Sequence, residues 1–399
     1  GLTSVNIAAG AFTDASSNSN TAATEFSWTY NGTPASVSSV ALASNNSTIA
    51  VTMDKAVYST GGGSGALETT DFSLAISGGS ASLSSATPSS ISASGSVYTL
   101  GIGITGTPDG SEVVTVNPVS GSIYDAYGNI STNSQSNNTA TLNDQLSPTV
   151  SITAVSSSGD AVSSGSTTND ASIILTLTAS ESTSNLASAD VTVSGGSLSS
   201  FSGSGTTYNV TFTPSASGAT TVDIAASGFT DAAGNNNTAA TQFAWTFDGT
   251  EPTISSVSLA ADNANIAVTM SEAVYNAAGG SGALEVADFA LSISGGSATL
   301  SSSTPSSISS SGNIYTLGIG ITGTPDGSEV LTVTPVSTSI YDAYGNTSST
   351  SQSNNTATLN DQLSPSVTIT VANSGGSSVS SASTTNDATL SLTFTSSEN

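Results

Sequence analysis

Thr238-Ala239-Ala240-Thr241-Gln242-Phe243-Ala244-Trp245-Thr246-Phe247, followed by Asp248-Gly249-Thr250-Glu251-Pro252, is the stretch on which the fold turns. Phe243, Trp245 and Phe247 fall on one side of an extended chain, and Gln242, Ala244 and Thr246 on the other. That period of two marks a strand with one buried face. Gly249 and Pro252 end the pattern, because Gly tolerates turn conformations and Pro fixes φ and removes a donor. Upstream of this strand, β-prone runs recur at 149–154, 172–178, 190–193, 197–201, 207–213 and 220–225, separated by Gly-, Ser- and Asn-rich turns. With 238–247 they make seven short strands in roughly 100 residues, the pattern of an immunoglobulin-like (Ig-like) β-sandwich. No stretch has a convincing helical period, so the expected fold class is all-β.

The same pattern recurs along the chain. Sliding the sequence by 217 positions lays 123–129 on 340–346 and 101–112 on 318–329, and 105 of the 149 positions in 34–182 are identical in 251–399. Repetition this dense makes the chain an array of one two-domain unit. Inside the unit a fainter correspondence links 175–181 to 266–272 and 231–235 to 342–346, so one ancestral module explains both halves. The expected organisation is the C-terminal part of an Ig-like domain at 1–33, a type A domain at 34–146, a type B domain at 147–249, a second type A domain at 250–363 and the N-terminal part of a type B domain at 364–399. Gly1 falls on Gly218 under the same shift, and the expectation is a piece of a much longer array. The joints at 143–148 and 248–252 are short and carry proline, which makes them stiffer than a Gly/Ser tether. Tandem sandwiches in an extended rod are expected.

Charge removes whole classes of function. One lysine, Lys55, stands against 27 Asp and Glu, with no His, no Cys and a formal net charge of −26. A phosphate-backbone binder needs clustered Lys and Arg, so nucleic acid and anionic membranes are excluded as partners. Without imidazole or thiolate there is no Ser-His-Asp triad, Cys-His pair, His-ligated zinc or Fe–S site. Carboxylates, hydroxyls, amides and backbone carbonyls remain, and these suit hard cations such as Ca²⁺. Hydrophobic residues at 36% with only 7% charged residues allow the chain to bury cores. No apolar run approaches the roughly 18–20 residues of a membrane span, and the N-terminus lacks the pattern of a signal peptide.

Three runs carry a resemblance: Phe229-Thr230-Asp231-Ala232-Ala233-Gly234-Asn235, the joint from Ala244-Trp245 through Pro252-Thr253, and Ser271-Glu272-Ala273-Val274. They resemble the tandem bacterial Ig-like domains of very large secreted surface proteins and adhesins, and the likeness extends over the whole chain. It implies an extracellular, cell-surface location and a load-bearing or spacing role, often assisted by calcium, with the adhesion ligand left to distinct terminal modules.

Topology places the acids. In an Ig-like sandwich the B–C and F–G loops lie at the end where the chain enters the domain. Glu272 follows the second strand and Asp342 lies between the sixth and seventh, so both should face the preceding joint with Asp248 and Glu251. The same logic gathers Asp144, Glu181 and Asp231 one joint upstream. Carboxylates that converge repel one another unless a cation sits among them, and with Asn235, Asn346 and backbone carbonyls each set approaches the roughly six to eight oxygens that Ca²⁺ takes. Interdomain calcium sites that stiffen the rod are therefore expected. The first joint departs from the pattern: Lys55 stands in the place of Glu272, Asn31 in that of Asp248 and Pro34 in that of Glu251, while Asp125 is kept and Asp54 gained. An ammonium near Asp54 and Asp125 would neutralise them, so weak calcium binding or none is expected there.

Other readings stand beside this one. Asp-x-x-Gly-Asn is also an ordinary turn, with Asp capping its own backbone, and acids lend solubility to a chain with almost no cations. Asp109 and Glu112, with copies Asp326 and Glu329, sit in a Pro-Asp-Gly turn at the opposite end of the sandwich, from which they reach toward the following joint. Carboxylates also serve glycosidases, but identical active sites repeated along a rod make an unlikely enzyme, and none is expected. Trp245 reads as core rather than as a sugar-stacking platform. The expected function is a non-enzymatic structural segment, an adhesin stalk or a surface filament made with other copies of itself; an array of carbohydrate-binding modules is the alternative.

Overall fold

The computed structural model describes residues 1–183 and 185–398. Two antiparallel strands, β1 (Leu2–Val5) and β2 (Phe26–Thr29), precede the first sandwich. Residues 34–146 then supply β3 (Val37–Leu42), β4 (Thr48–Met53), β5 (Val57–Tyr58), β6 (Phe72–Ser77), β7 (Ser82–Leu83), β8 (Ile91–Ser94), β9 (Val97–Gly101), β10 (Ile104–Thr105), β11 (Val113–Pro118), β12 (Tyr124–Asp125) and β13 (Thr139–Thr141). One sheet runs β3-β4-β9-β8 and the other β13-β11-β6; the ribbon β7-β10 and the pair β5-β12 complete the domain. Strand alternation makes the core. Ile49, Val51 and Met53 on β4 are buried, while Thr48, Ala50 and Thr52 between them are only half-buried.

Residues 147–249 supply β14 (Val150–Ser156), β15 (Ala161–Val162), β16 (Thr167–Thr168), β17 (Ile173–Thr183), β18 (Val191–Ser194), β19 (Gly196–Pro214), β20 (Gly218–Ile224) and β21 (Phe243–Phe247). Their sheets run β15-β14-β17-β19 and β16-β21-β20-β18, with β16 parallel to β21. Two differences from the sequence expectation have local causes. The runs at 197–201 and 207–213 are one strand, β19, carried through its bends by left-handed backbone at Ser200 and Gly205. The last strand begins at Phe243 rather than 238, because Thr238 N–H donates to the Pro148 carbonyl (3.0 Å) and so ties its approach to the joint. Trp245 is 2% exposed and meets Phe212 edge-on, at 4.7 Å between centroids.

Residues 250–363 supply β22 (Ile254–Leu259), β23 (Asn265–Met270), β24 (Phe289–Ser294), β25 (Thr299–Leu300), β26 (Ile308–Ser311), β27 (Ile314–Gly318), β28 (Ile321–Thr322), β29 (Val330–Pro335) and β30 (Thr356–Thr358). The 217-residue shift reproduces the pairing: Val51 faces Tyr98 in one copy and Val268 faces Tyr315 in the other. Last come β31 (Val367–Asn373) and β32 (Leu390–Ser396), an antiparallel pair. The chain is all-β, a tandem of immunoglobulin-like sandwiches. Among the described residues three hydrophobic cores draw separately on 34–146, 147–249 and 250–363.

Candidate metal centres at the domain joints

Each centre combines a linker, a strand end and a loop. Asp144 stands in the joint, Glu181 near the end of β17, and Asp231 in the loop between β20 and β21. One oxygen from each lies within 4.8 Å of the others. Asp248, Glu272 and Asp342 repeat the arrangement at the next joint, also within 4.8 Å. The loops converge because the local turns fix them. Asp231 accepts the Asn235 N–H (2.8 Å) at Oδ1 and the Asn235 side-chain amide (2.8 Å) at Oδ2. Three N–H groups, from Tyr344 (2.8 Å), Gly345 (2.7 Å) and Asn346 (2.8 Å), point at Asp342 Oδ1. The Asn346 amide is shared between Asp342 Oδ2 (2.8 Å) and the Asp248 carbonyl (2.9 Å), which pins the loop to the linker. Gly345 has φ +98°, a backbone conformation that favours glycine, and it lies close to Asn169 of the preceding domain, whose Nδ2 would be 3.3 Å from a Cβ there.

The two glutamates are held differently from the aspartates. Among the described residues no backbone or amide N–H donates to Glu181 or Glu272 at hydrogen-bonding distance. Burial raises the Glu181 carboxyl, and the charges of Asp144 and Asp231, a carboxyl hydrogen bond with Asp144 and the charge of Asp109 push it further. Burial likewise raises Glu272, followed by the charges of Asp342 and Asp248. A half-buried carboxylate with no N–H donor, next to two of its own kind, is the arrangement a cation relieves. The donors are all hard oxygens, and the clusters fit Ca²⁺ in kind.

Glu251 lies outside the second cluster. Gly249 N–H donates to Ser217 Oγ (2.9 Å) and Thr250 Oγ1 pairs with the same oxygen (2.9 Å), so the linker is held to the preceding domain and Glu251 is left exposed. At the first joint the aspartate loop is kept: Asp125 accepts N–H groups from Tyr127 (2.9 Å) and Asn129 (2.9 Å), and the Asn129 amide reaches the Asn31 carbonyl (3.0 Å). Lys55 Nζ donates to the Thr33 carbonyl (2.9 Å) of that linker. Burial raises the Asp125 carboxyl, but the Asn129 and Tyr127 hydrogen bonds and the Lys55 charge outweigh it and leave the group below the usual range. Asp54 is spoken for by the Ser36 N–H (2.9 Å), the role Ser271 Oγ fills for Thr253 (2.9 Å) in the copy.

The aspartates of the second acidic pair cap the Pro-Asp-Gly turn as the sequence suggests, with Ser111 N–H donating to Asp109 and Ser328 N–H to Asp326, but sequence reasoning missed what the glutamates do. Glu329 is fully buried, with Oε1 accepting from Ser297 (3.1 Å) and Ala298 (2.9 Å) and Oε2 from Asp326 (3.1 Å). It staples two turns together and offers nothing to a ligand. Glu112 makes the same bonds to Ser80, Ala81 and Asp109. The signal was present in the paired glycines at 78–79 and 295–296, since a Cβ on Gly296 would fall 2.2 Å from Glu329 Oε1.

Residues 144–246 match the family described as Bacterial Ig-like domain. This segment is a bacterial Ig-like domain. Its boundaries take in Asp144, Glu181 and Asp231, so the first carboxylate cluster lies within one bacterial Ig-like domain and its leading linker. Among solved structures the chain is similar to the crystal structure of invasin, a bacterial integrin-binding protein, at 13% identity and a TM-score of 0.28, over 86% of this chain and 62% of that one. The chain thus spans less than two thirds of that protein, and a likeness at this level adds nothing to the reading of the site. No curated protein matches. Among the described residues no helix is long and apolar enough to cross a membrane.

Proposed function

We propose that the chain is a non-enzymatic structural segment of a large extracellular, cell-surface protein, a rod of bacterial Ig-like domains whose joints are stiffened by Ca²⁺, in an adhesin stalk or surface filament. One observation carries this reading. At the joints before 147 and before 250 a linker aspartate, a strand-end glutamate and a loop aspartate meet, and at the joint before 34 a lysine stands in the glutamate's place and donates to the linker. Bound Ca²⁺ would supply positive charge and oxygen coordination there. The chain's own part is to bring the linker and the domain that follows it to one point. Asp144 and Asp248 belong to the linkers, so anything that holds them to Glu181 and Asp231, or to Glu272 and Asp342, restrains the bend between neighbouring domains. Lys55 does the same work at the first joint through a hydrogen bond.

The alternative of a carbohydrate-binding array has less support, since Trp245 lies in the core with Phe212 and Phe243. Calorimetric titration and electron microscopy of the whole chain test the proposal. Two bound Ca²⁺ per chain, with straight particles that bend on chelation, are expected; no binding at millimolar Ca²⁺ would overturn the cation reading and leave the fold untouched.

A further inference from the structure

The carboxylates are distributed unevenly, and the distribution marks a surface. Between Asp71 and Asp109 lie 37 residues without a single charged side chain, and the same holds between Asp288 and Asp326. In a chain of net charge −26 these are the two longest uncharged runs, and along them two copies can approach without like charges of the runs themselves meeting. Each contains a sheet edge that, among the described residues, has no strand paired along its outer side. In the sheet β3-β4-β9-β8, strand β3 lies against β13 of the facing sheet, and in the sheet β13-β11-β6, strand β6 lies against β7. Strand β8 pairs with β9 on one side, and among the described residues no strand pairs with its other side. Strand β26 repeats this beside β27.

Open edges are normally blunted by lysine, proline, a bulge or an inward charge, because unpaired N–H and C=O groups template the addition of another strand. Here the edges read Ile91-Ser92-Ala93-Ser94 and Ile308-Ser309-Ser310-Ser311, regular in register and free of all four devices. Ser92 through Ser94 and Ser309 through Ser311 are exposed, and their small side chains present no steric barrier.

From this we infer that β8 and β26 are docking edges for a second copy of this chain, which adds a strand to each sheet by backbone hydrogen bonding. A four-residue edge is short, so one contact is weak. Two edges that differ only in Ala93 against Ser310, at a fixed sequence interval, make the contact multivalent, and association rises well above that of either alone. Neither edge contains a clustered carboxylate, so pairing proceeds with calcium or without it.

The test is sedimentation velocity of the whole chain over a concentration series, in calcium and in chelator, beside the double variants Ala93→Asp/Ser310→Asp and Ser92→Asp/Ser309→Asp. All four positions are exposed, and circular dichroism melts confirm that the sandwiches remain folded. Wild type should associate reversibly under both conditions, and each variant should raise the dissociation constant by about tenfold or more, because like charges then face one another across the new pair. A wild type that stays monomeric at every concentration overturns the inference. So do variants that associate as wild type does, which would place the contact elsewhere.

Discussion

Replacing Glu181 with Gln should stabilise the domain at 147–249 when calcium is absent and weaken it when calcium is present. Glu181 shares its 4.8 Å neighbourhood with Asp144 and Asp231. At that separation a like-charge pair repels by about 0.9 kcal/mol in water's dielectric and about 3.5 kcal/mol at an effective dielectric of 20. Glu181 is only half-buried and salt screens the site, so the lower figure applies, and two neighbours give about 2 kcal/mol. For a domain of this size that is a rise in melting temperature of roughly 8 °C in chelator. In calcium at about a hundred times the dissociation constant, wild type gains about 2.7 kcal/mol and the variant, short of one carboxylate of three, gains far less. The assay is unfolding followed by fluorescence: Trp245 is buried in this domain, and Trp28, the other tryptophan, is 43% exposed in another segment. The pH dependence has a definite sign. The folded protein holds the Glu181 proton more tightly than the unfolded chain does, so metal-free wild type loses stability as pH rises through the folded pKa, and the variant does not. A variant destabilised equally in chelator and in calcium would refute the account of the cluster as a set of unrelieved like charges.

Lys55→Glu combined with Asn31→Asp rebuilds the carboxylate set at the first joint, and calorimetry should then count three calcium ions per chain instead of two. Phe212→Ala removes a fully buried ring that packs edge-on against Trp245, so denaturant unfolding of 147–249 should show a loss of about 3–5 kcal/mol while the type A domains keep their midpoints. Backbone N–H groups from Ala298 and Asp326 hold the Glu329 carboxyl below its usual range, Ala298 most strongly, although burial opposes them. Stability from this residue is present above the unfolded carboxylate pKa and lost as pH falls through the folded one. Glu329→Gln should therefore lower the unfolding midpoint of 250–363 at neutral pH and flatten its acid dependence.

Much of this architecture is legible in a one-dimensional pattern, because a strand's side chains alternate with a period of two and a repeat copies that alternation. The run ending at Phe247 shows its buried face directly, and the 217-residue shift carries the pairing of Val51 with Tyr98 onto Val268 with Tyr315. The meeting of Asp144, Glu181 and Asp231 was legible too, since loop order in a sandwich fixes which loops share an end. Where reasoning depended on conformation it fell short. Glu251 and Asp248 are three residues apart, and the linker's path, held by Ser217 at Gly249 and Thr250 and by the Asn346 amide at the Asp248 carbonyl, brings Asp248 into the cluster and leaves Glu251 facing solvent.

By itself, then, the sequence determined the all-β class, the repeat, and the exclusion of imidazole, thiolate and polycation chemistry. All of these follow from composition and period, which do not depend on where the chain goes in space. Tertiary structure alone decided that Glu329 is buried and saturated by backbone donors, that Asp54 caps Ser36 instead of facing Lys55, and that β8 and β26 each pair along one side only among the described residues. The physical reason is common to the three. A hydrogen bond or a covered edge depends on groups that sequence separates by tens of residues and that only the packed sheets bring within about 3 Å of each other.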